Sequence, residues 1–282
     1  MIELENVTFT YPTAHVPALT GLSLSVPDGQ VCGVVGANGS GKSTLACLVA
    51  GVAPAITGGE LTGAVRVARR ASAGAAEVGL VTQNPFSQLS GAKFTVLEEL
   101  AFGLENLGVP RPEMVDRVDR VVDLLRLGAL TDRPPFELSG GQRQMVVIGS
   151  VLVMRPEVLV LDEPTSQLDP DGVALVFDAL RALGQEGVTT LLVEHRVEQL
   201  AELADRVVVL GGGAIALDGP PTEVLAHPGL AALGVTGTRY TDAALLAAER
   251  SLWPVATPPP VLLPDAALGF ARALTPTARE LP

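Results

Sequence analysis

The stretch Val31-Cys32-Gly33-Val34-Val35-Gly36-Ala37-Asn38-Gly39-Ser40-Gly41-Lys42-Ser43-Thr44 decides the fold. Val31 to Val35 is a short, apolar, β-branched run, and the residues from Lys42 to about Val49 have a helical pattern. Between them Gly36, Gly41, Lys42 and Ser43 match G-x-x-x-x-G-K-[ST], so strand, glycine-rich loop and helix follow in the order a phosphate cradle requires. Glycines let backbone N–H groups converge on phosphate oxygens at a helix N-terminus whose dipole favours anions. In such a loop Lys42 reaches the β/γ-phosphates and Ser43 ligates Mg²⁺. Of the 19 basic residues only Lys42 and Lys93 are lysines, which makes a chance match rare. Residues Gly36, Ala37, Asn38, Gly39, Ser40, Gly41, Lys42, Ser43 and Thr44 are therefore the expected phosphate-binding loop.

On the N-terminal side, residues 2–10 alternate apolar and polar side chains, and Leu22 to Val26 repeats the pattern before the turn Pro27-Asp28-Gly29. This predicts an antiparallel β-region. Strand-like runs recur from about Gly59 to Arg70 and from Val78 to Thr82, separated by a small-residue loop. Between Pro85 and Met154, Val96–Leu107 and Pro112–Leu127 carry apolar residues at helical spacing, which predicts an inserted helical subdomain at about 85–154. Beyond it, Val158–Leu161, Thr189–Val193 and Arg206–Leu210 are continuous apolar runs, the first two separated by a helical Val173–Leu183. Such strands alternating with helices indicate an α/β core with a parallel sheet covered on both faces. From about residue 220 prolines accumulate (Pro254, Pro258, Pro259, Pro260, Pro264) around one helix candidate, Thr241–Leu252. The expected division is a large domain over 1–225 and a short C-terminal appendage over 226–282.

Composition narrows the function classes. With 282 residues, 18% charged and 48% hydrophobic, the chain is long and apolar enough for one large globular domain. The longest central apolar stretch, Val146–Met154, is about half the ~20 residues that cross a bilayer. The start Met1-Ile2-Glu3-Leu4-Glu5 is acidic where a secretory signal is basic, so a cytoplasmic location is expected. A net charge of -12 repels nucleic acid and argues against such a partner. Cys32 and Cys47 have no metal-like spacing and are expected to be apolar filler.

A second motif follows from the strand Val158-Leu159-Val160-Leu161, which ends in Asp162-Glu163. It would deliver Asp162 to a Mg²⁺ shell beside Ser43 and leave Glu163 to orient or deprotonate an attacking water. Leu138-Ser139-Gly140-Gly141-Gln142 precedes it and matches the LSGGQ signature of ABC-type ATPases. The sequence thus resembles the nucleotide-binding subunit of an ABC transporter, a phosphate-loop NTPase fold, over residues 1 to about 225. The resemblance implies that Ser139, Gly140, Gly141 and Gln142 bind the γ-phosphate of ATP held by an opposite subunit. Local physics agrees, because Ser139 is suited to cap a helix whose free N–H groups then face an anion. It further implies that Gln83 touches Mg²⁺ and water and relays to a membrane partner. Ser166-Gln167-Leu168-Asp169 resembles the D-loop, with Asp169 acting in trans, and His195 resembles the switch histidine on the γ-phosphate. Tyr11 falls where the family places an aromatic ring on adenine, whereas His15 and His227 match nothing.

The resemblance therefore implies an ATP hydrolase using ATP and Mg²⁺, with Glu163, His195 and Gln83 as the catalytic set and Ser43, Gln83 and Asp162 about the metal. Two copies, or this chain and a homologue, would pair head to tail around ATP and separate when hydrolysis removes the γ-phosphate contacts. Gln83-Asn84-Pro85-Phe86-Ser87-Gln88 resembles the Q-N-P-x-x-Q stretch of energy-coupling factor (ECF) ATPases. These energise uptake of vitamins and transition-metal ions through a shared membrane subunit, while a separate membrane protein recognises the cargo. Phe9-Thr10-Tyr11-Pro12 and Glu194-His195-Arg196 suit the same group, and the tail is similar to the segment through which those ATPases dimerise. Met145 departs from the arginine common in the family. The implied partners are a second ATPase subunit, an integral membrane coupling subunit and a membrane substrate-binding subunit, with this chain peripheral on the cytoplasmic face. Another ABC importer or exporter is the alternative. A soluble ABC protein acting on ribosomes or DNA fits less well, because neither a second cassette nor a long coiled coil is present.

Overall fold

The computed structural model describes residues 1–67, 77–250, 252–253 and 259–274. The chain begins with β1 (Ile2–Thr10), β2 (Leu19–Val26), β3 (Val31–Gly36), α1 (Lys42–Val49), β4 (Glu60–Val67) and β5 (Val78–Val81). Three helices follow, α2 (Val96–Asn106), α3 (Arg111–Leu124) and α4 (Gly140–Leu152). Strands and helices then alternate as β6 (Val158–Asp162), α5 (Pro170–Gln185), β7 (Thr189–Val193), α6 (Val197–Leu203), β8 (Arg206–Gly211) and β9 (Ala214–Gly219). The tail carries α7 (Pro221–Val224), α8 (Arg239–Glu249) and α9 (Leu263–Leu274).

The central sheet has the order β5-β6-β7-β3-β8-β9, parallel throughout except for the last pair. Its strands are apolar without interruption because successive side chains enter two different cores. Leu159 and Leu161 of β6, Val31 and Val35 of β3, and Val207 and Val209 of β8 pack with α2–α6 on one face. Val158 and Val160, Cys32 and Val34, and Val208 and Leu210 pack on the other, against α1 and the antiparallel sheet β2-β1-β4. Each such Val or Leu contributes about 1.5–3 kcal/mol by leaving water, so both faces must stay covered. Cys32 is buried filler, its thiol pushed up to about 12 by burial, whereas Cys47 is only half-buried.

The element types agree with the sequence reading, and the differences have local causes. Strand β2 starts at Leu19, three residues early, because Gly21 at φ +58 carries the chain through a register shift without ending the ladder. β9 carries half-buried and exposed residues in a weak strand pattern, so only the turn glycines Gly212 and Gly213, both at positive φ, announce the hairpin that forms it. The strand expected to reach Arg70 is described to Val67; residues 68–70 and most of the small-residue loop lie outside the described residues. In the tail the helix expected at Thr241–Leu252 starts at Arg239, because the Thr238 hydroxyl caps it by accepting from Thr241 N at 3.3 Å. Another helix, α9, occupies the stretch expected to be a proline-rich return. Pro264 stands in its first turn, where a missing N–H costs nothing.

Candidate functional site

The end of β3 and the start of α1 define the floor of a cavity of about 590 Å³ lined by Ala18, residues of the glycine-rich loop, Gln83, Glu163 and His195. Gly36 and Gly41 have no substitute here. A Cβ on Gly36 would sit 2.4 Å from the Leu210 carbonyl oxygen, and one on Gly41 would sit 2.7 Å from that of Ala18. Gly39 and Gly41 adopt φ of +78 and +103, the left-handed region glycine favours. Among the described residues no side chain caps α1, so its first N–H groups face the cavity end of the helix as an anion site. The Lys42 ammonium donates to Gly36 O at 2.8 Å and Ala37 O at 3.0 Å. Burial lowers its pKa, while Glu163 and Asp162 act in the opposite sense.

The end of β6 supplies the carboxylates. Glu163, just beyond β6, sits at φ +50, a conformation that costs a non-glycine residue about 1–2 kcal/mol. Its N–H donates to Val193 O at 3.0 Å, and its carboxylate lies between two partners. Gln83 Nε2 donates to one oxygen at 2.9 Å, and His195 Nε2 lies 2.8 Å from the other. Asp162 is buried, and among the described residues its Oδ1 has no hydrogen-bond partner. Burial raises its carboxyl above the ordinary 3.8, opposed by a hydrogen bond from Ser43. An orphaned carboxylate oxygen beside a serine hydroxyl suits a hard divalent cation, which costs less to bury there than to leave unpaired. Among the described residues no three His, Cys, Asp or Glu side chains converge as a metal cluster.

A carboxyl whose pKa is raised on folding binds more protons folded than unfolded, so its contribution favours the fold at acid pH. That contribution is lost as pH rises from the unfolded value through the folded one. At pH 7 the buried ionised group therefore costs stability. Asp162→Asn should raise Tm in nucleotide-free buffer at pH 7 and remove the further gain that Mg²⁺ with ATP gives the parent. Thermal unfolding with and without Mg·ATP checks both, and a Tm below the parent's in nucleotide-free buffer would contradict the assignment.

The structure brings together the phosphate loop, Gln83, Asp162, Glu163 and His195, and adds Tyr11, whose hydroxyl is 3.3 Å from Thr44 Oγ1. Phe9 supports the Tyr11 ring edge-on, with centroids 4.9 Å apart. Ser139, Gly140, Gly141 and Gln142 do not line this cavity. They open α4 with a reciprocal cap: Ser139 Oγ accepts from Gln142 N at 3.3 Å, and Gln142 Oε1 accepts from Ser139 N at 3.0 Å. Asp169 likewise caps α5, accepting from Gly172 N at 2.8 Å.

Residues outside the expected set hold the loop that carries Gln83. The Gln88 amide donates to Leu80 O at 2.8 Å and accepts from Thr82 N at 2.7 Å, closing the Gln83–Gln88 loop on itself. The Arg143 guanidinium lies 3.8 Å above the Phe86 ring, joining this loop to the first turn of α4. Ala18 lines the cavity with no chemical group that sequence could flag.

A phosphate loop at the turn from β3 to α1, with a carboxylate pair at the end of β6 two strands away in the same sheet, defines a nucleotide-triphosphate-binding cassette. Residues 19–166 match the ABC transporter family model. The chain belongs to the ABC transporter family, as an ABC ATPase. It is 46% identical over 231 residues to a putative ABC transporter ATP-binding protein of Pyrococcus abyssi, covering 79% of this chain and 82% of that one. It is 42% identical over 229 residues to the energy-coupling factor transporter ATP-binding protein EcfA1 of Lacticaseibacillus paracasei, covering 80% and 81%. The solved structure of cbiO1 from Clostridium perfringens, described as part of the ABC transporter complex cbiONQ, superposes with a TM-score of 0.67 at 31% identity, covering 80% and 90%. The chain spans only 39% to 43% of the length of four longer relatives. Among the described residues no helix is long and apolar enough to cross a membrane.

Proposed function

We propose that this chain is the ATP-hydrolysing subunit of an ECF-type importer of vitamins or transition-metal ions, driven by head-to-tail closure of two ATPase subunits. The observation that carries the ATPase reading is the clamped carboxylate: Glu163 is held in a strained backbone conformation between Gln83 and His195 at the mouth of the phosphate loop. In this reading Lys42 and the α1 N–H groups hold the β/γ-phosphates, Ser43, Asp162 and Gln83 hold Mg²⁺, and Tyr11 takes the adenine. Bound Mg²⁺ would offset charge on the phosphates. Glu163 aligns the attacking water and accepts its proton, and His195 fixes the carboxylate and the γ-phosphate together. Ser139, Gly140, Gly141 and Gln142 with Asp169 complete the site of a facing subunit, which is why they are built rigidly yet lie outside this chain's own cavity.

The ECF assignment draws on the likeness to EcfA1 and cbiO1 together with the Gln83–Gln88 loop. The capped α4 and the Arg143–Phe86 stack would pass movement of Gln83 to the helical insertion, whose exposed Phe94, Leu97 and Phe136 suit a protein partner. Exposed Leu245, Leu246, Leu263 and Leu268 on α8 and α9 support an appendage, residues 226–282, that pairs ATPase subunits beyond the cassette at 1–225. The partners in this reading are a second ATPase subunit, identical or homologous, a membrane coupling subunit and a membrane substrate-binding subunit, at the cytoplasmic membrane face. Purification in detergent from the native membrane should recover an integral membrane subunit in fixed ratio to this chain, with vitamin- or metal-uptake activity on reconstitution. Recovery with ribosomes or nucleic acid, and no membrane subunit, would overturn the reading.

A further inference from the structure

Glu194 precedes His195 and is buried at 3% exposure, and among the described residues its carboxylate has no cation among its hydrogen-bond partners. Three donors reach it. The hydroxyl of Thr165, itself fully buried, donates to Oε1; His195 N donates to Oε2 at 2.9 Å and Arg196 N at 3.3 Å. Two of these belong to the turn leaving β7. The third comes from the turn leaving β6, two residues beyond Glu163.

These bonds close a circuit. Asp162 pairs with Val193 across β6 and β7, and Glu163 N donates to Val193 O at 3.0 Å, so the two strand ends are in register. Past that point the ladder stops and side chains take over. His195 meets Glu163 at 2.8 Å on the cavity side, and Glu194 meets Thr165 on the buried side. Thr165 O in turn accepts from Leu168 N at 3.1 Å, inside the run that ends at Asp169. The His195 imidazole is half exposed, so its aim depends in part on the backbone turn beneath it. A buried carboxylate that accepts three hydrogen bonds holds such a turn far more firmly than a neutral side chain, because ion-to-dipole bonds strengthen in a low dielectric.

We propose that Glu194 is a positioning residue for hydrolysis: through Thr165 it locks the turns after β6 and β7 to each other and so holds His195 against Glu163. This rests on the ATPase reading above. Because Thr165 also opens the segment leading to Asp169, the same lock ties the aim of His195 to the stretch that would face a second subunit.

The test is steady-state ATP hydrolysis by the full chain, with nucleotide affinity measured separately and Tm as a folding control. Glu194→Gln keeps size and one acceptor but cannot accept from all three donors. It should lower kcat about tenfold or more, the effect of losing a hydrogen bond to a charged group, with KM and nucleotide affinity changed less than about twofold. Thr165→Val, which removes only the hydroxyl, should lower kcat by a similar factor, and Thr165→Ser should restore it. The double variant should be no slower than the slower single one, because both break one link. Wild-type kcat in Thr165→Val, or losses that multiply in the double variant, would overturn the proposal even if Glu194→Gln fails to fold. Absence of ATP hydrolysis by the parent would instead be a failure of the ATPase reading.

Discussion

Glu163→Gln is expected to bind Mg·ATP as tightly as the parent, or more tightly, while turnover falls by about 10²–10⁴-fold, the range for removing a general base. The amide occupies the same space and can still meet Gln83 and His195, which hold the parent carboxylate at 2.9 and 2.8 Å, so the fold and the phosphate loop should be undisturbed. What is lost is the basic carboxylate oxygen that takes the proton from water. ATP then persists between subunits, and the species that accumulates should be a nucleotide-bound pair. Size-exclusion chromatography with ATP should show doubled mass for Glu163→Gln, and a single-turnover assay should show the slowed chemical step. Near-normal turnover would remove Glu163 from its role.

Ser139→Phe is expected to abolish hydrolysis with equal completeness and by a different route. Ser139 lies outside the cavity that holds this chain's own phosphate loop, so equilibrium binding of ATP to the single chain should change less than about twofold. The substitution removes the cap of α4, which costs about 1 kcal/mol, and places a ring where the first N–H groups of that helix are free. In the proposed paired state that helix end would face the γ-phosphate of the other chain, so closure and turnover should fail together. Fluorescent-nucleotide binding alongside an ATPase assay separates the two effects. Loss of single-chain binding would mean that Ser139 serves its own site.

Much of this was legible in the residues. The phosphate loop could be located because Gly36, Gly41 and Lys42 do their work through backbone freedom and one rare side chain, at fixed spacing. The core strands were legible because burial on both faces leaves no polar alternation, as in Val158–Leu161. The Ser139 cap follows from a local pattern, and its reciprocal partner Gln142 stands three positions on. Illegible were the features that depend on separate strand ends meeting. Glu163 and His195 are 32 positions apart, and only the β6–β7 register makes them a pair. Glu194 read as a mark of likeness, and its bond to Thr165 needed the fold to appear. Gln88 was visible as a motif letter, but its closure of the loop around Leu80 and Thr82 was not. Helix α9 was missed because Pro264 was counted as a breaker in a proline-rich stretch, when its place in the first turn makes it compatible with a helix start.

Asp162 shows how stability and function oppose each other at this site. A carboxylate buried beside Ser43 with one oxygen unpartnered costs the fold something at neutral pH, and is retained because a cation bound with the nucleotide would offset that cost.

The central claim, that the hydrolytic site is completed by a facing subunit, is tested most directly by complementation between two inactive chains. Lys42→Ala loses the phosphate loop but keeps an intact signature; Ser139→Phe keeps the loop and loses the signature. In a preparation where Glu163→Gln forms ATP-dependent pairs, mixing these two variants should restore ATP hydrolysis that neither shows alone, since each mixed pair contains one whole site. A mixture as inactive as its components, or parent-like hydrolysis by Ser139→Phe alone, would contradict the claim.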